Sequence, residues 1–168
     1  MNEIFTRRSV RKYLDKSVEN DKMQQMLAAA MQAPSAANQQ PWNFIVVQNR
    51  QRLMQLSEYS PYARMMAKAG AAIVVLGDTR RMVIPEQWQQ DLGAATQNIL
   101  LEAVSQELGA VWLGVYGNAS SVAWLKKFFN LPKHIIPYSV VSIGYPAIEN
   151  ANLYIDRYDS SRIHYEQY

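Results

Sequence analysis

The chain has no cysteine and only two histidines, His134 and His164. The first absence excludes disulfides and thiolate chemistry, and the second leaves a histidine metal site or a Ser-His-Asp triad poorly supplied. Neither GxxxxGK[ST] nor GxGxxG occurs, so the phosphate-cradling loops of nucleoside triphosphate and dinucleotide domains are missing. Charged residues make up 18% against 49% hydrophobic, which excludes a disordered chain. No apolar run approaches the length of a membrane span. The start, MNEIFTRRSV, has no apolar segment after its charges, so no signal peptide is expected and a cytoplasmic location is. The net charge of +3 is mild, with no Lys/Arg run beyond the opening stretch, so neither nucleic acid nor a membrane is an expected partner.

What is present suits one compact domain over residues 1–168. Asn20 is placed to cap a helix whose Met23, Met26, Leu27, Ala30 and Met31 share a face and which ends before Pro34. Those methionines read as core filler. NFIVVQ follows as a strand, RQRLMQLSEY as a helix and GAAIVVLGD as a buried strand. From Glu86 to about Leu108 the pattern is helical, with Trp88, Leu92, Ala95 and Ile99 on one stripe, widened by Leu100, Leu101, Val104 and Leu108. Gly109 is placed to stop it. AVWLGVYG reads as strand and loop, SSVAWLKKFFNLP as a capped helix and YSVVSIGYP as a last strand, giving an alternation of helices and strands. Residues 147–168 lose all periodicity yet carry Tyr154, Ile155, Tyr158, Ile163, Tyr165 and Tyr168, so this arm is expected to dock, with a second subunit as a candidate surface.

Three stretches can carry chemistry. In RRSVRKY, an extended backbone puts Arg7, Ser9 and Arg11 on one face and Arg8, Val10 and Lys12 on the other. Two guanidinium forks and a hydroxyl suit a phosphate monoester, although such a stretch can equally be a solvated basic arm. APSAANQQPWNF joins a helix to a strand through small residues and amides. Such a loop lets a backbone approach a flat heterocycle, or is an ordinary connection with Trp42 as a core plug. In VWLGVYG, Gly114 and Gly117 mark where a strand gives way to a loop.

RRSVRKY, APSAANQQPW, AAIVVLGD, QDLGAATQNILLEA, WLGVYG and SIGYPA followed by DRYDSSRIHYEQ resemble, in order over nearly the whole chain, the FMN-dependent nitroreductase family in its short form. The resemblance implies an α+β fold: a central mixed or antiparallel sheet flanked by helices, in an intertwined homodimer whose carboxyl-terminal arm, residues 147–168, packs on the partner. It implies FMN at the dimer interface, NADH or NADPH as co-substrate, and ping-pong reduction of nitroaromatics, quinones or similar small electron-poor acceptors. Arg7, Arg8, Ser9 and Arg11 match the first FMN segment, with Arg11 reaching the N1/O2 side of the ring, where a cation favours reduction. Pro34, Ser35, Ala36 and Asn38 match the loop that contacts the flavin from the partner, Leu113 and Gly114 the loop against the ring, and Arg157 the arginine that closes on the phosphate. Gly117 stands where many relatives have proline, and Ile155 where some have lysine. The segment containing Arg64 and Lys68 aligns too loosely to assign, and Tyr62 to Met65 stay outside the expected site. No metal and no catalytic acid, base or nucleophile is implied. The same fold also hosts reductive dehalogenation, flavin fragmentation and enoate reduction, and a non-catalytic flavin carrier is a further alternative.

Overall fold

The AAIVVLGD run forms the centre of the molecule because its β-branched and aliphatic residues can be buried on both faces of a pleated strand. A computed structural model describes residues 2–168. In chain order these form α1 (Glu3–Thr6), α2 (Asn20–Met31), β1 (Trp42–Val47), α3 (Arg50–Leu56), β2 (Ala71–Asp78), α4 (Trp88–Ser105), β3 (Gly109–Gly114), α5 (Ala119–Phe128) and β4 (Ile135–Gly144). Tight 3-10 turns at Ala36–Asn38, Pro61–Lys68 and Pro85–Gln87 link them. The four strands lie in the order β1-β2-β4-β3, and every neighbouring pair is antiparallel.

All eight residues of β2 are buried, and their alternation divides the core. Ala71, Ile73 and Val75 meet Met23, Met26 and Ala30 of α2 and Leu92, Ala95, Ile99 and Ala103 of α4. Ala72, Val74 and Leu76 meet Leu53 and Leu56 of α3, Ala63 and Met66 of the Pro61–Lys68 turn and Leu125 of α5. Trp42 joins the first of these clusters, and the α4 stripe is buried.

α3 and α5 end earlier than expected, at Leu56 and Phe128, and three further boundaries differ in ways that bear on packing. The N-cap of α2 is Glu19, in extended conformation, and Asn20 is the first helical residue with no capping bond. α4 begins at Trp88, after a separate turn opened by Pro85, and ends at Ser105. Gly109 does not terminate it: Glu107 takes the left-handed conformation (φ 62°) that reverses the chain, and Gly109 opens β3. Its glycine identity answers a packing need instead.

Gly109 and Gly144 are register partners at one end of the β3–β4 ladder, and the arginine-rich segment lies across both. Val10 N–H donates to the Ala110 carbonyl at 3.0 Å, Ser9 bridges Ala110 in parallel, and Tyr13 bridges Pro146. A Cβ on Gly109 would lie 2.6 Å from Val10 Cγ1, and one on Gly144 would lie 2.8 Å from the Tyr13 ring. That ring is fixed, because its hydroxyl donates to the Val10 carbonyl at 2.7 Å. Burial pushes the Tyr13 phenol pKa up, so the group stays a neutral donor. Gly109→Ala is therefore expected to cost about 1–3 kcal/mol of stability by overpacking against Val10, read as a lower denaturant midpoint at unchanged slope. An unchanged midpoint would mean that the Arg7–Tyr13 segment is not held by this contact.

Candidate active site

Thr6 ends α1 and Arg7 is its C-cap, and the arginines that follow are not sorted as a strand pleat would sort them. This corrects the expected alternation. Arg7 and Arg8 line one cleft of about 340 Å3 together with Phe5, Tyr154, Asp156 and Arg157. Arg11 opens on another, and Ser9 engages β3 through its backbone. Arg8 is committed to backbone acceptors: its guanidinium donates to the carbonyls of Phe5 and Leu153, the latter at 2.6 Å. Its own N–H donates to Asn152 Oδ1, and Asn152 Nδ2 donates in turn to the Leu108 carbonyl. These bonds bring the carboxyl-terminal segment back to α1 and place Arg157 beside Arg7. Burial, then Arg8 and Arg157, lower the Arg7 guanidinium pKa. Among the described residues no carboxylate forms an ion pair with any of the three arginines. Positive charge is thus concentrated where it repels itself, a state that an oxyanion would relieve.

The second cleft, about 390 Å3, is lined by Arg11, Trp112, Leu113 and Gly114 on one side and by Tyr59 to Tyr62, Arg64 and Met65 on the other. Arg11 donates to the Ser9 carbonyl at 3.3 Å, a weak tether that leaves most of its fork open. Gly114 ends β3 exposed, and a Cβ there would meet nothing within 4 Å. Tyr62, Arg64 and Met65, outside the expected site, therefore face the same space as Arg11 and Gly114. Their local signal was Ser60-Pro61. Ser60 Oγ accepts from Tyr62 N–H at 3.2 Å, and Pro61 supplies the preset φ of a first helical residue, starting the turn that aims this segment at β3.

Pro34, Ser35 and Ala36 border a third, shallow cleft with Gln87, Gln90 and Asp91, apart from the other two. Ala37 (φ 48°), Asn38 (φ 53°) and Gln40 (φ 45°) all take the left-handed conformation without being glycine. Asn38 Oδ1 accepts from Gln40 Nε2 at 2.9 Å, and Gln40 N–H donates to Ser35 Oγ at 3.0 Å. Beneath them the buried Asp91 accepts from Ala36 N–H at 2.9 Å and from Gln39 Nε2 at 2.5 Å. One chain thus brings together Arg7, Arg8 and Arg157, separately Arg11, Leu113 and Gly114, and separately again Pro34, Ser35 and Ala36. Among the described residues no group of three His, Cys, Asp or Glu could hold a metal ion. No helix there is long and apolar enough to cross a membrane.

A family model described as the nitroreductase family matches residues 4–72 and 54–145. The chain is 45% identical over 168 residues to a Methanothermobacter thermautotrophicus protein provisionally named NADH dehydrogenase/NAD(P)H nitroreductase, covering 100% of this chain and 87% of that one. A crystal structure from Clostridium acetobutylicum, provisionally named an NADH oxidase, is similar with a TM-score of 0.95 and 50% identity over 99% of both chains. An FMN-dependent nitroreductase of Clostridium difficile is similar with a TM-score of 0.90 and 28% identity, again over 99% of both. With its antiparallel sheet between two helical layers, this chain belongs to the nitroreductase family.

Proposed function

We propose that this chain is an FMN-dependent NAD(P)H oxidoreductase acting as a homodimer on nitroaromatics, quinones or similar electron-poor acceptors. The observation that carries the reading is the guanidinium cluster of Arg7, Arg8 and Arg157, gathered from the two ends of the chain without a carboxylate ion pair among the described residues. Its residues fit a phosphate monoester. Arg7 and Arg157 offer forks for bidentate bonds, while Arg8 adds charge and anchors the Leu153 backbone. The FMN-dependent relative supports this choice of phosphate-bearing group. Bound FMN would supply the two-electron chemistry that links a reduced nicotinamide to the acceptor.

The remaining residues position and polarise. Arg11, open to its cleft, would hold positive charge beside the ring edge that gains electron density on reduction. Gly114 leaves room for a flat ring to lie against the end of β3, and Trp112 and Leu113 exclude water beside it. The Pro34–Asn38 loop borders a different cleft of its own chain, which supports its delivery to the partner's flavin. The site would then be complete only in the dimer.

The test is FMN titration of the flavin-free wild type and of Gly114→Val, followed by NAD(P)H oxidation with a quinone. Valine suits a strand and meets open space here, so stability is expected to stay within about 0.5 kcal/mol while FMN affinity falls at least tenfold. Release of FAD rather than FMN from the purified protein, or no NAD(P)H oxidation by the FMN-loaded wild type, would overturn the reading.

A further inference from the structure

The segment from Ser35 to Gln40 holds three non-glycine residues in the left-handed region, each an unfavourable conformation that persists only where surrounding contacts over-determine it. Those contacts converge on two buried polar side chains, Asp91 and Gln39. The Asp91 carboxylate, in the first turn of α4, accepts from Ala36 N–H through Oδ1 (2.9 Å) and from Gln39 Nε2 through Oδ2 (2.5 Å). The Gln39 amide then binds the backbone of Ile84 on both sides: Oε1 accepts from Ile84 N–H at 2.9 Å and Nε2 donates to the Ile84 carbonyl at 3.3 Å. Each oxygen faces a donor and the amide nitrogen faces acceptors, which fixes the amide orientation. The carboxylate has no cationic ion-pair partner among the described residues, so its charge rests on these two bonds and the amino-terminal end of α4.

We propose that Asp91 and Gln39 are positioning residues for cofactor binding. They lock the Ser35–Asn38 loop in the left-handed shape that meets the partner's flavin, and they bind it to the Ile84 segment so that the two move together. This inference rests on the proposed role of that loop at the flavin. A carboxylate is suited to the task because one planar group takes two donors from residues three apart, and any amide in its place offers a single acceptor oxygen.

The test exchanges polarity across the pair. Gln39→Glu places two carboxylates within hydrogen-bond distance of each other, and Asp91→Asn leaves one donor unmatched. Each is expected to weaken FMN binding about tenfold and to speed amide hydrogen exchange over residues 35–40 of the flavin-free protein. In the double variant the amide introduced at position 91 donates to the carboxylate introduced at position 39 and still accepts from Ala36 N–H, while that carboxylate still accepts from Ile84 N–H. The double variant still lacks the donation to the Ile84 carbonyl, at 3.3 Å the longest of the four bonds, so affinity and exchange protection should recover most but not all of the loss, to within about threefold of wild type. Arg157→Ala, which tests the phosphate site, runs in parallel. If Arg157→Ala weakens FMN binding and Gln39→Glu does not, despite faster exchange in the loop, the positioning inference fails alone. If Gln39→Glu weakens it and Arg157→Ala does not, the inference stands and the phosphate assignment falls. If neither variant moves the affinity, both fall.

Discussion

Arg157→Ala and Arg7→Ala are each expected to weaken FMN binding roughly 10- to 150-fold while leaving the proposed dimer intact. A hydrogen bond to a charged group is worth about 1.5–3 kcal/mol, and no carboxylate among the described residues is ion-paired with either guanidinium in this cleft. Removing Arg157 also relieves Arg7 of a repulsive neighbour, so the flavin-free protein should be no less stable, and slightly more so at low salt. The two variants are therefore expected to combine favourable or neutral folding with poor cofactor retention, opposite to the signature of a structural arginine. Lysine at either position should recover only part of the loss, because a point charge does not reproduce a bidentate fork. Fluorescence titration of FMN at two salt concentrations is the measurement. Equal dissociation constants in wild type and Arg157→Ala, with the same salt dependence, would return the cluster to the status of a solvated basic patch.

The arrangement behind this prediction was only half legible in the sequence. Arg7, Arg8 and Arg11 stand out as a charge run, but a strand pleat assigns Arg8 to the wrong company. The four-residue α1 turns the chain just before the run, and its short span leaves no periodic signal. The burial of β2 was plain because a continuous run of small and aliphatic residues ending at an aspartate admits few other readings. α4 was plain for the same reason in helical period, although its start was not. Pro85 opens a turn that mimics the helix for three residues before Trp88 begins it.

What stayed hidden is what depends on partners distant in sequence. Nothing in the sequence around Asp91 marks it as more than a polar residue of a long helix. Only the fold sets it under Ala36 and Gln39. Gly109 reads as a helix stop, and only the return of Val10 to β3 shows that a methyl group has no room there. Tyr62 to Met65 lie in a 3-10 turn of eight residues, and a segment so short does not announce in its sequence that it is placed opposite Gly114. Small-residue loops and turns carry sites because rigid elements aim them, and the aim is a property of the sheet rather than of the loop.

Deleting residues 154–168 is expected to convert the proposed dimer to a folded monomer that retains no FMN. The segment contributes little to its own body. Tyr158, Tyr165 and Tyr168 are 76%, 80% and 104% exposed, and the hydrogen bonds from Asp156 to Arg162 are local to the arm. The hydrogen bonds to the body run through Asn152 and the Leu153 carbonyl, both retained by the deletion, which removes one ring contact, that of Tyr154 with Phe5. The described helices, sheet and core clusters should thus survive, with a cooperative melt. Apolar surface of this extent on an extended arm has no use in a monomer, and obligate homodimers bury such surface against a symmetry mate. Because the deletion also removes Arg157, dimer loss and phosphate loss have to be separated. Arg157→Ala in the full chain should sediment as a dimer with weakened FMN, whereas the truncated chain should sediment as a monomer with none. Replacing Tyr158, Ile163 and Tyr165 together by serine keeps Arg157 and should shift the monomer–dimer equilibrium toward monomer, with FMN affinity falling in step with the dimer fraction as protein is diluted. A truncated monomer that binds FMN stoichiometrically would show that one chain suffices for the site, and the shared-site model would be lost with it.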